Sequence, residues 1–210
     1  VRPAALLLLL AAPAAAWWFG PKYDAFTPER PIELDGDARD WPAERRDDAA
    51  DMTFAFAKDS TDLFVLFLPH TRSAKQQLAG TYGQGMTLWV DPKGGMARRF
   101  GLALTAPQKT GDGRFVRVVT AAGPEPGAAS RIEVKNGDFD AHGALEARVP
   151  LELLGTPLPK FVGVGLETGK PERTPLPVVD AKGRSPDELF AAVRIWVRVK
   201  LPRPPKDGAR

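Results

Sequence analysis

Cysteine is absent from all 210 residues, which excludes disulfides, thiolate metal sites and a cysteine nucleophile. It also excludes a bacterial lipoprotein anchor, which needs a cysteine behind its apolar leader. No apolar run approaches the roughly 18–20 residues that span a bilayer as a helix. Catalytic signatures are missing as well: there is no G-x-S-x-G elbow, no H-E-x-x-H pair and no G-x-x-x-x-G-K-[ST] loop. Gly80, Gly83 and Gly85 stand in the wrong order and context for a dinucleotide loop. Paired carboxylates for glycoside hydrolysis can be judged only from their separation in space. Nor is there a basic stripe interleaved with aromatics, the footprint of a nucleic-acid binder. The formal net charge is +3. Six basic residues from Arg194 to Arg210, set against Asp207 alone, contribute +5, and the remainder of the chain sums to −2. In an exported protein such a basic end could touch anionic envelope polymers, an attraction that salt would screen.

The chain opens with an export pattern. Arg2 supplies a positive n-region, Leu6 to Leu10 lie within an apolar h-region, Pro13 ends it, and Ala14-Ala15-Ala16 offers a small-residue cleavage site. Residues 1–16 thus read as a signal peptide, and the expected location is periplasmic or extracellular. Cleavage leaves 194 residues, enough for one domain whose core needs no disulfide.

Past the leader, short runs of period 2 alternate with turn residues. Residues 17–31 form an aromatic, proline-bearing lead-in. Strands are expected at 32–34, 52–57, 63–68, 86–90, 99–105, 115–120, 131–134, 145–149, 161–166 and 193–201, divided by Gly, Pro, Asp and Asn. In 145–149, Leu145, Ala147 and Val149 point inward and Glu146 and Arg148 outward. Helical turns are expected at 73–79, with Ser73 as a candidate N-cap, and at 185–192. The expected fold is an all-β antiparallel sandwich over 32–201, jelly-roll or immunoglobulin-like, with about nine or ten strands and one or two short helices. Residues 202–210 read as a basic, proline-rich disordered tail.

Several of these pieces resemble a known group. Ile32-Glu33-Leu34-Asp35-Gly36-Asp37 with Asp40-Trp41 resembles the opening of family 9 carbohydrate-binding modules and of DOMON-like domains. Asp59 to Val65, Thr87 to Pro92, and Glu146 to Leu151 with Leu154-Gly155 resemble their later motifs, in the family's order. The resemblance implies a β-sandwich that frequently binds sugars and in some branches haem. These motifs do not reach the family's sugar-stacking tryptophans, so candidates for a site come from face periodicity.

On the last strand Ile195, Val197, Val199 and Leu201 share one face, and Arg194, Trp196, Arg198 and Lys200 the other. An aromatic ring on a polar face can stack on a sugar while arginines bond its hydroxyls. Trp196, Arg194 and Arg198 are therefore the first candidates for ligand binding. Trp89, opposite Met86, Leu88 and Val90, is the next. Trp41 reads as a structural plug. Asp35, Asp37 and Asp40 are a candidate calcium set, though without EF-hand spacing; turn stabilisation is the alternative. His70 with Met86 is a weak candidate haem pair, because Met86 reads as core. His142 falls in a turn. The expected function is a non-catalytic, carbohydrate-binding exported module with a glycan or other small ligand as partner. The alternatives are a haem-binding DOMON-like domain and an envelope component that meets a protein partner.

Overall fold

The computed structural model describes residues 22–43, 46–49, 52–80, 85–105, 116–120, 123–124, 127–155, 157–168 and 194–203. Two sheets face each other. One has seven strands, in the order β1 (Lys22–Asp24), β12 (Arg194–Lys200), β11 (Phe161–Thr168), β5 (Met86–Asp91), β6 (Phe100–Leu104), β7 (Val116–Thr120) and β8 (Gly123–Pro124). The other has five: β2 (Asp47–Ala49), β3 (Met52–Lys58), β4 (Asp62–Pro69), β10 (Leu145–Pro150) and β9 (Glu133–Asn136). Every pairing is antiparallel except β1 with β12, which run parallel. The expected all-β sandwich is what forms, with two short α-helices among the described residues, α1 (Arg72–Ala79) and α2 (Leu151–Leu154). No described helix is long and apolar enough to cross a membrane.

Period-2 alternation places the core. Phe54, Phe56, Val65 and Phe67 from the five-stranded sheet meet Leu88, Val90, Val164, Val197 and Val199 from the seven-stranded one in a single buried cluster. Tyr23 of β1 bridges the sheets at one edge, its ring 6.2 Å from those of both Phe54 and Phe56.

A second, smaller cluster lies on the outer face of the five-stranded sheet. Ala55, Ala57, Phe64 and Leu66 are covered there by Trp41, with Phe26, Ile32 and Leu34 packed around it. This is why β3 and β4 are apolar on both faces. It also corrects the reading of 32–34, which is not a strand: Ile32 and Leu34 lie as irregular chain against that outer face. Trp41 is the plug expected, only 2% exposed.

The cover is fastened by a residue that periodicity assigned to solvent. Glu146 does point to the outer face of β10, but it is fully buried beneath the covering segment. Its carboxylate accepts from the indole Nε1 of Trp41 at 2.6 Å, from the amide of Gly36 at 2.6 Å and from the amide of Asp35 at 3.1 Å. Gly36 has a φ of +85° and no room for a Cβ beside the backbone of Gly137, so the Asp-Gly turn requires glycine.

Two smaller corrections concern local signals. The N-cap of α1 is Thr71, whose Oγ1 accepts from Ala74 N at 3.2 Å, and the helix starts at Arg72, before Ser73. The lead-in contributes β1, which became a strand because the edge of β12 offered it a partner. The signal peptide, the 185–192 helix and the 204–210 part of the tail lie outside the described residues.

Burial pushes Glu146 up from 4.5 to about 7, against the pull of the Trp41 indole and the Gly36 and Asp35 amides. A carboxyl raised on folding gives stability that is fully present below about pH 4.5 and lost as pH rises through about 7. A shift of that size corresponds to about 3 kcal/mol. We expect urea denaturation to show a less stable protein at about pH 8 than at about pH 5. Glu146→Gln should flatten that difference and lower stability at about pH 5, because its NH₂ would face an N–H donor. A slope that survives the substitution would assign it to another group.

Candidate functional site

The two outer faces of the sandwich differ. One is closed by residues 26–41, as described. The other, on the seven-stranded sheet, carries Trp89 and Trp196, both half-buried. Strand register sets them in one row: Trp196 is opposite Gly165, Gly165 is opposite Trp89, and Trp89 is opposite Gly101. The row crosses β12, β11, β5 and β6, alternating indole and glycine.

Each glycine lies beneath a ring. A Cβ added to Gly165 would meet Cδ2, Cε2 and Cε3 of Trp196 at 2.6, 2.6 and 2.9 Å. One added to Gly101 would meet Cζ3, Cε3 and Cη2 of Trp89 at 2.5, 2.7 and 2.9 Å. Three adjoining ring atoms at nearly equal distances mean that each ring meets its glycine face-on. Any other residue at these positions would lift the indole off the sheet. Glycine inside a strand marks such close approaches.

Polar groups border the row. Trp89 Nε1 donates to Glu167 Oε2 at 3.2 Å, and Arg98 Nε donates to the same oxygen at 3.1 Å. Arg98 comes from the β5–β6 loop, which Asp91 organises. The nearly inaccessible Asp91 side chain accepts from Lys93 N at 3.0 Å, Ala97 N at 2.9 Å and Arg99 Nε at 3.0 Å. The loop is seated directly on β11, where a Cβ on Gly163 would lie 1.9 Å from the carbonyl oxygen of Gly95. Arg98 is thereby carried to Glu167 of β11, and their ion pair stands beside the Trp89 indole.

Of the residues chosen from the sequence, Trp196 and Trp89 come together in this row. The core face of β12 is as expected, with Ile195, Val197, Val199 and Leu201 all buried. Arg198 follows two residues after Trp196, its guanidinium carbon 4.7 Å from the centre of the Phe161 ring. Arg194 pairs through its backbone with Glu167; its side chain lies outside the described residues. Sequence reasoning missed Gly101, Gly165, Glu167 and Arg98. Glycines at 101, 163 and 165 inside apolar strands were the available signal, but which side chain covers them depends on strand register.

The three aspartates of the opening motif are placed elsewhere, on the covered side. The guanidinium and amide of Arg39, bonded to Asp37, hold its carboxyl down at about 2. Asp35 Oδ1 accepts from Asp37 N at 2.7 Å, as an Asx turn does. Burial raises Asp40. Among the described residues no group of three or more His, Cys, Asp or Glu side chains is arranged to hold a metal ion. His70, exposed after β4, is 2.6 Å from Thr53 Oγ1, whereas Met86 is buried in the core from the opposite sheet. His142 is exposed, and its carbonyl accepts from Ala38 N.

No family model and no curated protein matches the chain. Among solved structures it is similar to a family 9 carbohydrate-binding module from Caldicellulosiruptor kristjanssonii in complex with cellotriose. Identity is 13%, over 90% of this chain and 97% of that one, with a TM-score of 0.41. It is also similar to such a module from the same organism in complex with glucose, at 14% identity, 90% and 100% coverage and a TM-score of 0.39. The likeness is one of fold.

Asp91→Ala should release the loop that carries Arg98. It removes an ionised acceptor and leaves two amides without their partner, a loss of about 2–3 kcal/mol. The expected result is a lower denaturation midpoint with new protease cleavage within 92–99. An unchanged cleavage pattern would show that packing on Gly163 suffices to hold the loop.

Proposed function

We propose that the outer face of the seven-stranded sheet binds a glycan, and that the chain is an exported, non-catalytic binding module. The observation that carries this reading is the pair of indoles in one row, each with one face resting on a glycine. Sugar rings have apolar C–H faces and a polar rim, so they stack on flat aromatic surfaces while their hydroxyls find hydrogen bonds at the edge. Glu167 and Arg98 supply an acceptor and donors beside Trp89. Arg198, two residues beyond Trp196, adds a planar donor fork of the kind that bonds hydroxyls and carboxylates. The export pattern of residues 1–16 would deliver this face to a compartment where polysaccharide is met.

The charged groups beside the rings are engaged with each other, as suits binding more than turnover. Glu167 is held by Arg98 and by the Trp89 indole, and Asp91 by Arg99 and two amides.

Glycan-array screening of residues 17–210 should give specific hits. Trp196→Ala and Trp89→Ala should each weaken them by about tenfold to a hundredfold, the effect of losing one stacking contact of about 1–3 kcal/mol by analogy with base stacking. Near-ultraviolet circular dichroism and melting curves would confirm that both variants fold. A folded wild type that binds nothing on the array, or hits indifferent to both substitutions, would refute this assignment.

A further inference from the structure

Positive charge gathers at one corner of the seven-stranded sheet, where the ends of β1, β12 and β11 meet. Register sets Lys22 opposite Arg198, and Lys200 opposite Asp24 on one side and Phe161 on the other. Tyr23, Val199 and Val162 are buried, so alternation sends Lys22, Arg198, Lys200 and Phe161 to the outer face. The Lys160 ammonium stands 5.3 Å from the centre of the Phe161 ring and the Arg198 guanidinium carbon 4.7 Å from it, so one ring gathers two cations. Arg203 follows Leu201, whose amide donates to the Lys160 carbonyl at 2.9 Å. Neighbouring positions are roughly 5–7 Å apart, within the screening length of about 8 Å at physiological salt. Lys22, Lys160, Lys200 and Arg203 are exposed. The one acid among the described residues of this corner is Asp24, paired with Lys200 at 3.0 Å. Lys22, Lys160 and Arg203 have no acidic partner among the described residues.

We infer that this corner is an electrostatic subsite for a linear acidic polysaccharide, and that the glycan of this face carries carboxylates. This rests on the glycan reading and adds the charge of the ligand to it. Cations held this close repel one another, and a polyanion laid along them relieves that repulsion and releases its own counterions. Arg198 offers a planar fork that matches a carboxylate, and the lysines offer point charges to the carboxylates of neighbouring sugars. The Lys200–Asp24 pair is exposed and so worth little; a ligand carboxylate can take the place of Asp24. Two observations favour a polysaccharide over an anionic bilayer. Trp196 precedes Arg198 by two residues on the same strand face, roughly 7 Å away, so a sugar chain passing over that ring reaches the cations. A bilayer site would present an apolar wedge, and this corner presents none among the described residues. Tyr23, Val199 and Leu201 are buried, and Phe161 is half-buried with its two cations.

The test is calorimetric titration of residues 17–210 with hexamers of galacturonate, mannuronate and glucuronate. Each is set beside its fully methyl-esterified form, which keeps the sugar and removes the charge. Polyphosphate of equal charge and vesicles of phosphatidylglycerol with phosphatidylcholine are the non-sugar arms. At least one acidic hexamer should bind about tenfold or more tighter than its ester, and should lose about tenfold in affinity between about 50 and about 200 mM salt. The double substitution Lys22→Ala, Lys160→Ala should cut the preference for acid over ester by about tenfold. It should also flatten the slope of log affinity against log salt by about 1–2, with a cooperative melt retained. Lys135→Ala, a charge removed from the other sheet, should change neither. An ester that binds as well as its acid, affinity indifferent to salt, or a folded double variant with its preference intact would each overturn this inference. So would polyphosphate or vesicles bound as tightly as the best sugar. Neutral hits on the glycan array with no gain from carboxylates would overturn it and leave the glycan reading standing. A protein that binds neither charged nor neutral sugars loses both.

Discussion

Glu146 draws together three N–H donors from residues 105 to 111 positions away in sequence, and the arrangement of the whole molecule follows from that. A carboxylate taken out of water is costly unless its lone pairs are filled, and here the filling groups are the Asp-Gly turn and the indole of Trp41. Where the carboxylate sits, the 26–41 segment must lie. With that segment in place, Phe64 and Leu66 are buried on the outer face of their sheet, and the five-stranded layer is apolar on both sides. One outer face is thus spent on stability, and the other is left for the proposed binding.

On that other face the same economy takes a different form. A glycine in a strand loses packing and carries extra chain entropy. An aromatic ring laid over it restores cover, a pairing exploited deliberately in designed sheets. Gly165 under Trp196 and Gly101 under Trp89 are two such pairs in one row. The contact that repairs the strand also presents the other side of the ring outward, so the stabilising contact and the proposed binding surface are one feature.

Alternation made much of this legible from sequence. It separated the core face of β12 from the Trp196 face and put Trp89 opposite Leu88 and Val90, while the opening motif marked Trp41 as structural. It could not show strand order, and so could not set Trp196 and Trp89 in one row or seat either on a glycine. Glu146 shows the limit most clearly: periodicity correctly sends it to the outer face, but whether an outer face meets water depends on a segment over a hundred residues away. Ile32 to Leu34 reads as a strand by composition and becomes cover, because its apolar residues are used against Phe64 and Trp41. Thr71 rather than Ser73 caps α1 because Thr71 holds the extended backbone from which its hydroxyl reaches Ala74.

The parallel pairing of β1 with β12 has a mechanical side. β1 begins at Lys22 and β12 ends at Lys200, and these two strands lie next to each other, running in the same direction. A pull on both ends would draw them in opposite senses along their length. The hydrogen bonds between them would then be loaded together, in shear, instead of opening one at a time as they would in a peeled hairpin. Tyr23, wedged between the sheets against Phe54 and Phe56, would have to leave the core in the same event. A domain held at both ends would thus meet tension first at its shear-loaded edge, far from the Trp89 end of the indole row.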